Sequence, residues 1–440
     1  MLKRKYTKQL HTWKENRDKK PLVINGARQI GKTYLVEKFG ENYESFIELN
    51  FIENPGLADI FSGNLSSEEI LTGIKLSMPG KRVIDGETLV FLDEIQECPN
   101  AITALKFLAK DKRIDVIATG SALGMAYNRA TSFPVGSVEY MDMTALDFRE
   151  FLWAIGIEDD VIAQVKTYYD NMEEVPTGIH NAMKQYLAKY MIIGGMPEVV
   201  NKFIIDEDYY GADLIQKRIY RDYLADIARF AKPDIKIKAE SCYKSIQNQL
   251  HKDNHKFQYG VVEKKGTARK FETSVDWILN ANMALSVRNI SFVEYPLSDH
   301  AMNDSFRLYM SDIGMFVGTY DYSLKAQILN DVMDDRADNI ILKTAKGGLY
   351  EALVCDILYK NGHRDLYFYR NEAGTAELEF LYDSFNGVVP IEVKAGKSGT
   401  KTLNNILKKE DISVGYKLSS QNVGRNGKKV TLPLYMIMFM

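Results

Sequence analysis

The chain has 440 residues, 45% of them hydrophobic and 26% charged, the balance of a soluble globular protein of roughly three domains at about 150 residues each. Its 56 Lys and Arg nearly cancel 59 Asp and Glu, leaving a net charge of −3, which excludes a globally basic nucleic-acid coat though not a local basic face. Three widely spaced cysteines, Cys98, Cys242 and Cys355, argue against a disulfide framework or a zinc cluster and for a reducing cytosol.

In chain order, residues 21–24 predict a buried strand and 32–39 a helix with Leu35, Val36 and Phe39 on one side. Strands follow at 46–51, 88–92, 114–118 and 138–143. Strand–helix alternation with continuous apolar strands predicts a parallel α/β sheet. From about 145 to 230 the pattern turns helical. There Gly194-Gly195-Met196-Pro197 ends one helix and starts another. Residues 235–317 mix helices with short strands. From about 343 the order is helix, strand, turn, strand, helix, strand, and the apolar residues 435–440 predict a final buried strand. The division into domains is 1–150, 151–335 and 336–440. No apolar run reaches the roughly 18 to 20 residues of a membrane-spanning helix, and the basic residues 1–6 lead into polar ones rather than a signal core. The expectation is a cytoplasmic protein with no membrane partner.

Gly26-Ala27-Arg28-Gln29-Ile30-Gly31-Lys32-Thr33 fits the phosphate-loop pattern G-x-x-x-x-G-K-[ST], after a buried strand and at the start of a helix. The glycines let backbone N–H groups curl around phosphate oxygens, and the helix N-terminus favours their charge. Lys32 is expected to reach the β- and γ-phosphates and Thr33 to ligate magnesium. The strand at 88–92 ends in Asp93-Glu94, where Asp93 supports the magnesium and Glu94 polarises the attacking water. The strand at 114–118 runs into Thr119-Gly120-Ser121, which reads either as a γ-phosphate sensor or as a polar turn. Arg129, Arg221 and Arg229 are candidates for a finger arginine, and the pattern does not choose among them.

GARQIGKT, TLVFLDEIQECP, ATGSALG and IIGGMPEVV together resemble the prokaryotic AAA-type ATPases that carry a C-terminal domain of unknown function. The resemblance runs from Leu2 to about Gly396. It implies a P-loop NTPase sheet, a helical and winged-helix-like middle and a restriction-endonuclease-like C-terminal domain, with ATP and Mg2+ as cofactors. Gly26, Lys32, Thr33, Asp93 and Glu94 take the family's nucleotide-binding roles position by position, and Ser121 lies in its Gly-Ser turn. After Gly136 many relatives carry an arginine where this chain has Ser137, so no arginine role carries over there.

In the middle, residues 268–279 predict an amphipathic helix with Phe271, Val275, Ile278 and Leu279 on one face, followed by a strand at 284–287. Helix then hairpin suggests a winged helix, with Lys264, Lys265, Arg269 and Lys270 near phosphates. An interdomain packing module with solvated lysines accounts for the same residues. His251 and His255, four apart, lack the glutamate of a zinc motif and read as solvent-facing.

Late in the chain, Glu392 and Lys394 share one face of a strand, since residues i and i+2 point the same way. Glu377 and Glu379 offer acids on an earlier strand and Glu351 one on a helix. An acid followed by E-x-K resembles the restriction-endonuclease core, in which two carboxylates hold magnesium and the lysine serves the attacking water. Alternating Glu and Lys are also common on exposed sheet faces. Lys397, Lys401, Lys408, Lys409, Arg425, Lys428 and Lys429 form a candidate DNA-facing surface.

The sequence thus predicts an ATP-binding protein that hydrolyses ATP with Mg2+ through Lys32, Thr33, Asp93 and Glu94. The phosphates are cradled by Gly26, Ala27, Arg28, Gln29, Ile30 and Gly31, with Ser121 beside them. Nucleotide state is expected to be coupled to DNA, a protein partner or a second copy of the chain. Alternatives are a metal-dependent nuclease using Glu351, Glu379, Glu392 and Lys394, and a nucleotide-binding switch with little turnover.

Overall fold

A computed structural model describes residues 2–120, 136–252, 254–334, 340–394 and 400–440, with 331–334 and 340–346 as backbone only. They form two compact units, one of Lys3–Ala145 with Asn280–Asn282, the other of Leu146–Leu279 with Met283–Met440.

The first unit contains strands β1 (Leu22–Asn25), β2 (Ser45–Asn50), β3 (Thr88–Asp93), β4 (Ile114–Gly120) and β5 (Glu139–Asp142). Its helices are α1 (Tyr6–Glu15), α2 (Lys32–Gly40), α3 (Ser67–Ser77) and α4 (Pro99–Leu108). The strands form one parallel sheet in the order β2-β3-β4-β1-β5. All of β3 is buried, as a strand covered on both faces requires. Leu35, Val36 and Phe39 of α2 are buried, and Val90, Leu92 and Val116 pack with Ile102 and Leu105 of α4. Because the strands run the same way, the loop after β1 and the acids after β3 emerge at one rim of the sheet.

The second unit begins with helices. Phe148–Ala154 opens on a capping box, in which the Asp147 carboxylate accepts from Glu150 N at 2.8 Å and the Glu150 carboxylate from Asp147 N at 3.0 Å. Asp159–Asn171, Thr177–Ile193, Pro197–Asp206, Tyr209–Phe230 and Pro233–Leu250 follow. The Gly-Gly-x-Pro segment separates two of them as expected: Gly194, at φ +74°, ends Thr177–Ile193, and Pro197 opens the next helix. A Cβ on Gly195 would lie 2.0 Å from the Leu146 carbonyl oxygen, so this turn requires glycine for close backbone approach.

The helix Ala268–Asn280 buries Phe271, Val275 and Ile278 and leads into a mixed sheet of eight strands. These are β6 (Ala284–Ile290), β7 (Ala301–Met310), β8 (Tyr367–Arg370), β9 (Glu377–Ser384), β10 (Gly387–Val393), β11 (Gly415–Ser419), β12 (Gly424–Asn426) and β13 (Lys429–Pro433). Their order is β12-β13-β11-β10-β9-β8-β6-β7. β8, β9 and β10 run antiparallel in turn, while β10 pairs parallel with β11. β6 pairs with β7 on one side and β8 on the other. The final apolar run differs from the expected strand: Leu434–Phe439 is a buried 3-10 helix. An apolar run without alternation does not distinguish a strand from a short buried helix, and Pro433 ends the strand before it.

Candidate nucleotide site

The loop between β1 and α2 has the backbone that phosphate binding needs. Gln29 and Gly31 have φ of +61° and +88°, in the left-handed region, which turns successive N–H groups to one side. A Cβ on Gly26 would sit 2.3 Å from the Met143 carbonyl oxygen, so only glycine fits where β1 ends. The buried Arg4 guanidinium holds the loop from behind, donating to Ile30 O at 2.8 Å and Thr144 O at 2.6 Å.

Lys32 is buried, and its Nζ donates to Gly26 O at 2.9 Å and Ala27 O at 2.7 Å, folding back under the loop. Burial pushes its ammonium down to about 8, against the upward pull of first Glu94 and then Asp93. Thr33 Oγ1 donates to Asp93 Oδ2 at 3.0 Å, and Asn50 Nδ2 reaches the same oxygen at 3.1 Å. Asp93 Oδ1 accepts from the Thr119 hydroxyl and from Glu94 N at 3.0 Å. Burial raises the Asp93 carboxyl above its ordinary range, Thr119 opposes the rise, and the neighbouring Glu94 adds to it. Glu94 stands in the left-handed region at φ +52°, and the Gln96 amide donates to its carboxylate.

The structure therefore brings Lys32, Thr33, Asp93 and Glu94 together around Gly26–Gly31. Ala27 and Ile30 are buried in the loop, Arg28 is half-buried and Gln29 exposed. Ser121 and Arg129 lie outside the described residues. Arg4, Asn50 and Gln96 escaped the sequence reading. Asn50 alone left a legible signal, as a polar residue ending an apolar strand, and β2 and β3 set it in register with Asp93. The donor set suits a magnesium nucleotide: a carboxylate dressed by neutral hydroxyl and amide donors beside a buried ammonium under a glycine cradle.

The late carboxylates form a second cluster in the other unit. Lys394 Nζ lies 3.1 Å from both Glu379 Oε1 and Glu392 Oε1, and Val393 N donates to Glu379 Oε2 at 3.0 Å. Burial pushes the Glu379 carboxyl up to about 7 despite Lys394, and raises Glu392 too. Glu351 lies 3.0 Å from Arg307 Nη1, 2.8 Å from His255 Nδ1 and 3.2 Å from the Tyr309 hydroxyl. Burial opposes its ionisation, yet Arg307 and then His255 hold it below the usual range. Glu377 pairs with Arg307 and, at 3.3 Å, with Arg370 Nη1. His255 thus turns inward to an acid instead of facing solvent, and His251 meets the Tyr320 hydroxyl at 2.6 Å. Among the described residues, no three His, Cys, Asp or Glu side chains are placed to hold a metal ion together. Nor, among them, is any helix long and apolar enough to cross a membrane.

The sheet order, the glycine loop and the acids at the end of β3 define a P-loop NTPase fold. Residues 18–152 match the family model described as AAA domain, and the chain carries an AAA-type P-loop ATPase domain. Residues 184–322 and 346–435 match two domains of unknown function, DUF8612 and DUF4143. The chain is similar to the Walker-type ATPase PABY2304 of Pyrococcus abyssi at 12% identity, over 75% of this chain and 96% of that one, with a TM-score of 0.45. It is also similar to the ORC2 protein of Aeropyrum pernix in its ADP form, at 12% identity, 76% and 94% coverage and a TM-score of 0.31. A third similarity is to Cdc6p of Pyrobaculum aerophilum, at 12% identity, 75% and 93% coverage and a TM-score of 0.28. No curated protein matches the chain.

Proposed function

We propose that this protein is a cytoplasmic ATPase that hydrolyses ATP with Mg2+ and couples nucleotide state to binding of DNA or a protein partner. The observation that carries this reading is the 3.0 Å contact of Thr33 with Asp93, which joins the loop and the acidic strand end into one site. When bound, magnesium neutralises phosphate charge and orients the nucleotide. Lys32, released from the loop carbonyls, would reach the β- and γ-phosphates, Asp93 and Thr33 would hold the metal, and Glu94 would take the proton of the attacking water. On this reading residues 1–150 respond to nucleotide, 151–335 relay the change through a winged-helix-like element at 268–287, and 336–440 act on the target.

The test is magnesium-dependent ATP turnover with and without DNA, wild type against Glu94→Gln. Loss of a general base lowers turnover by roughly 10²–10⁴-fold, with binding retained. Turnover equal in the two proteins removes Glu94 from the reading, and nucleotide binding without turnover leaves the slow switch.

A nuclease reading is favoured by one observation. The helix Ile340–Lys360, β8, β9, β10, the helix Lys401–Ile406 and β11 follow the order of a restriction-endonuclease-like core and bring Glu379, Glu392 and Lys394 together. Metal-dependent nicking that disappears in Lys394→Ala supports it. Nicking unchanged by that substitution belongs to a contaminant.

A further inference from the structure

Gln96 has no part in the roles assigned so far. It lies in the short 3-10 turn Ile95–Glu97 that follows β3, two residues beyond Glu94. Its side chain is about nine-tenths buried, at 9% exposure. The amide nitrogen donates to Glu94 Oε2, and the amide oxygen is buried with no hydrogen-bond partner among the described residues. The orientation is chemically forced, since an ionised carboxylate only accepts and the nitrogen end must face it. A buried amide oxygen left unpaired costs free energy, and such an atom beside a reactive group calls for an explanation. Glu94 itself stands on a strained left-handed backbone, with the Glu97 N–H donating to Glu94 O at 3.0 Å to close the turn. Asp93 lies beside it and the Lys32 ammonium faces it from α2, with Arg28 acting on Lys32 in turn.

We propose that Gln96 is the positioning residue for Glu94. Its N–H end clamps Oε2 and so presents Oε1 of Glu94 to the attacking water. A carboxylate on the first residue of a turn has free rotation about its side chain, and a second fixed donor removes that freedom before the reaction. This inference rests on Glu94 acting as the base.

The test is a double-mutant cycle with Gln96→Leu and Glu94→Gln, read by steady-state and single-turnover ATP hydrolysis, with ATP affinity measured separately. Gln96→Leu keeps side-chain size and removes both polar ends. It is expected to lower kcat about tenfold, the effect of losing one charged hydrogen bond, with Kd for ATP within about twofold. In the Glu94→Gln background the same substitution has no further effect, because the two residues act as a unit. Gln96→Glu sets a second carboxylate against Glu94 and is expected to lower kcat further and to move the acidic limb of its pH profile to higher pH. Losses that add in the double variant, or an unmoved pH profile in Gln96→Glu, overturn the proposal in favour of a structural role. If Glu94→Gln alone leaves turnover intact, the underlying function fails instead, and the cycle distinguishes the two.

Discussion

Replacing Lys360 with Met is expected to destabilise the second unit by about 3–5 kcal/mol, the cost of breaking a buried ion pair by removing one partner. Lys360 Nζ lies 2.7 Å from Asp312 Oδ2, 2.8 Å from Asp356 Oδ1, 3.0 Å from the Tyr190 hydroxyl and 3.2 Å from Leu146 O. The side chains of the lysine and both aspartates are at most 2% exposed. Methionine matches the lysine in length, so the substitution removes charge and hydrogen bonds more than volume. Against a total stability of roughly 5–15 kcal/mol, the loss is a large fraction. Denaturant unfolding of the full chain, following the transition of this unit by circular dichroism, measures it. The pH dependence separates electrostatics from packing. Burial pushes the Asp356 carboxyl up to about 6, above its value in an unfolded chain, although Lys360 pulls it down. A group raised in this way favours the folded state below the unfolded pKa, and that contribution is lost as pH rises through about 6. Without the ammonium the folded value climbs further, so Lys360→Met regains stability as pH falls from 7 to 5 and the gap to wild type narrows. Adding Asp356→Asn recovers part of the loss at pH 7. A variant within about 1 kcal/mol of wild type at pH 7.5, or a gap independent of pH, refutes the reasoning.

Gly26→Ala is expected to abolish ATP binding, because its Cβ would lie 2.3 Å from the Met143 carbonyl oxygen and the loop must shift; an unchanged Kd in a nucleotide titration contradicts this. Burial pushes the Lys32 ammonium down to about 8 in the free protein, and phosphate binds its charged form. ATP affinity is therefore expected to weaken up to about tenfold per pH unit above 8, and a flat Kd from pH 7 to 9.5 excludes it. Gly195→Ala is expected to cost the second unit about 1–3 kcal/mol or more, since its Cβ would lie 2.0 Å from Leu146 O. Melting within a degree of wild type means the turn relaxes.

The parallel sheet was legible because its physics is local. β1 and β3 are continuous apolar runs and β4 is interrupted only by Asp115, a pattern imposed by burial on both faces, and each lies within two residues of its predicted span. The phosphate loop was legible because glycines at fixed offsets serve a backbone path that few other residues can follow. Arg4 was not: its contacts with Ile30 and Thr144 join residues 26 and 140 positions apart. Gln96 was hidden too, since one amide in a turn after an acidic strand end has no periodicity and its contact with Glu94 depends on the turn geometry. His255 read as solvated because the acid it meets, Glu351, is 96 positions away. The mixed sheet was harder to read than the parallel one, because β6 and β7 join β8 to β13 across the long helical segment between them.

The two carboxylate sites differ in how the protein answers their charge, and this ranks the chemistries. Asp93 is met by Thr33, Asn50, Thr119 and a backbone N–H, all neutral donors, and by no cation at hydrogen-bond distance among the described residues. Its charge is oriented but not cancelled, the condition in which a divalent cation gains most. In the late cluster each acid already meets a cation of the protein: Glu351 meets Arg307, Glu377 meets Arg307 and Arg370, and Glu379 and Glu392 share Lys394. A metal ion entering there must first displace an ammonium or guanidinium that the carboxylates hold in a buried setting, where breaking such a pair is costly. Among the described residues, Glu392 Oε2 is the one buried carboxylate oxygen of the cluster without a hydrogen bond, and one oxygen is a poor start for a hard cation that seeks six. The same cations tie together β7, β9, β10 and the helix Ile340–Lys360. The charge balance therefore favours a metal-bound nucleotide at the first site over metal-dependent cleavage by the late carboxylates.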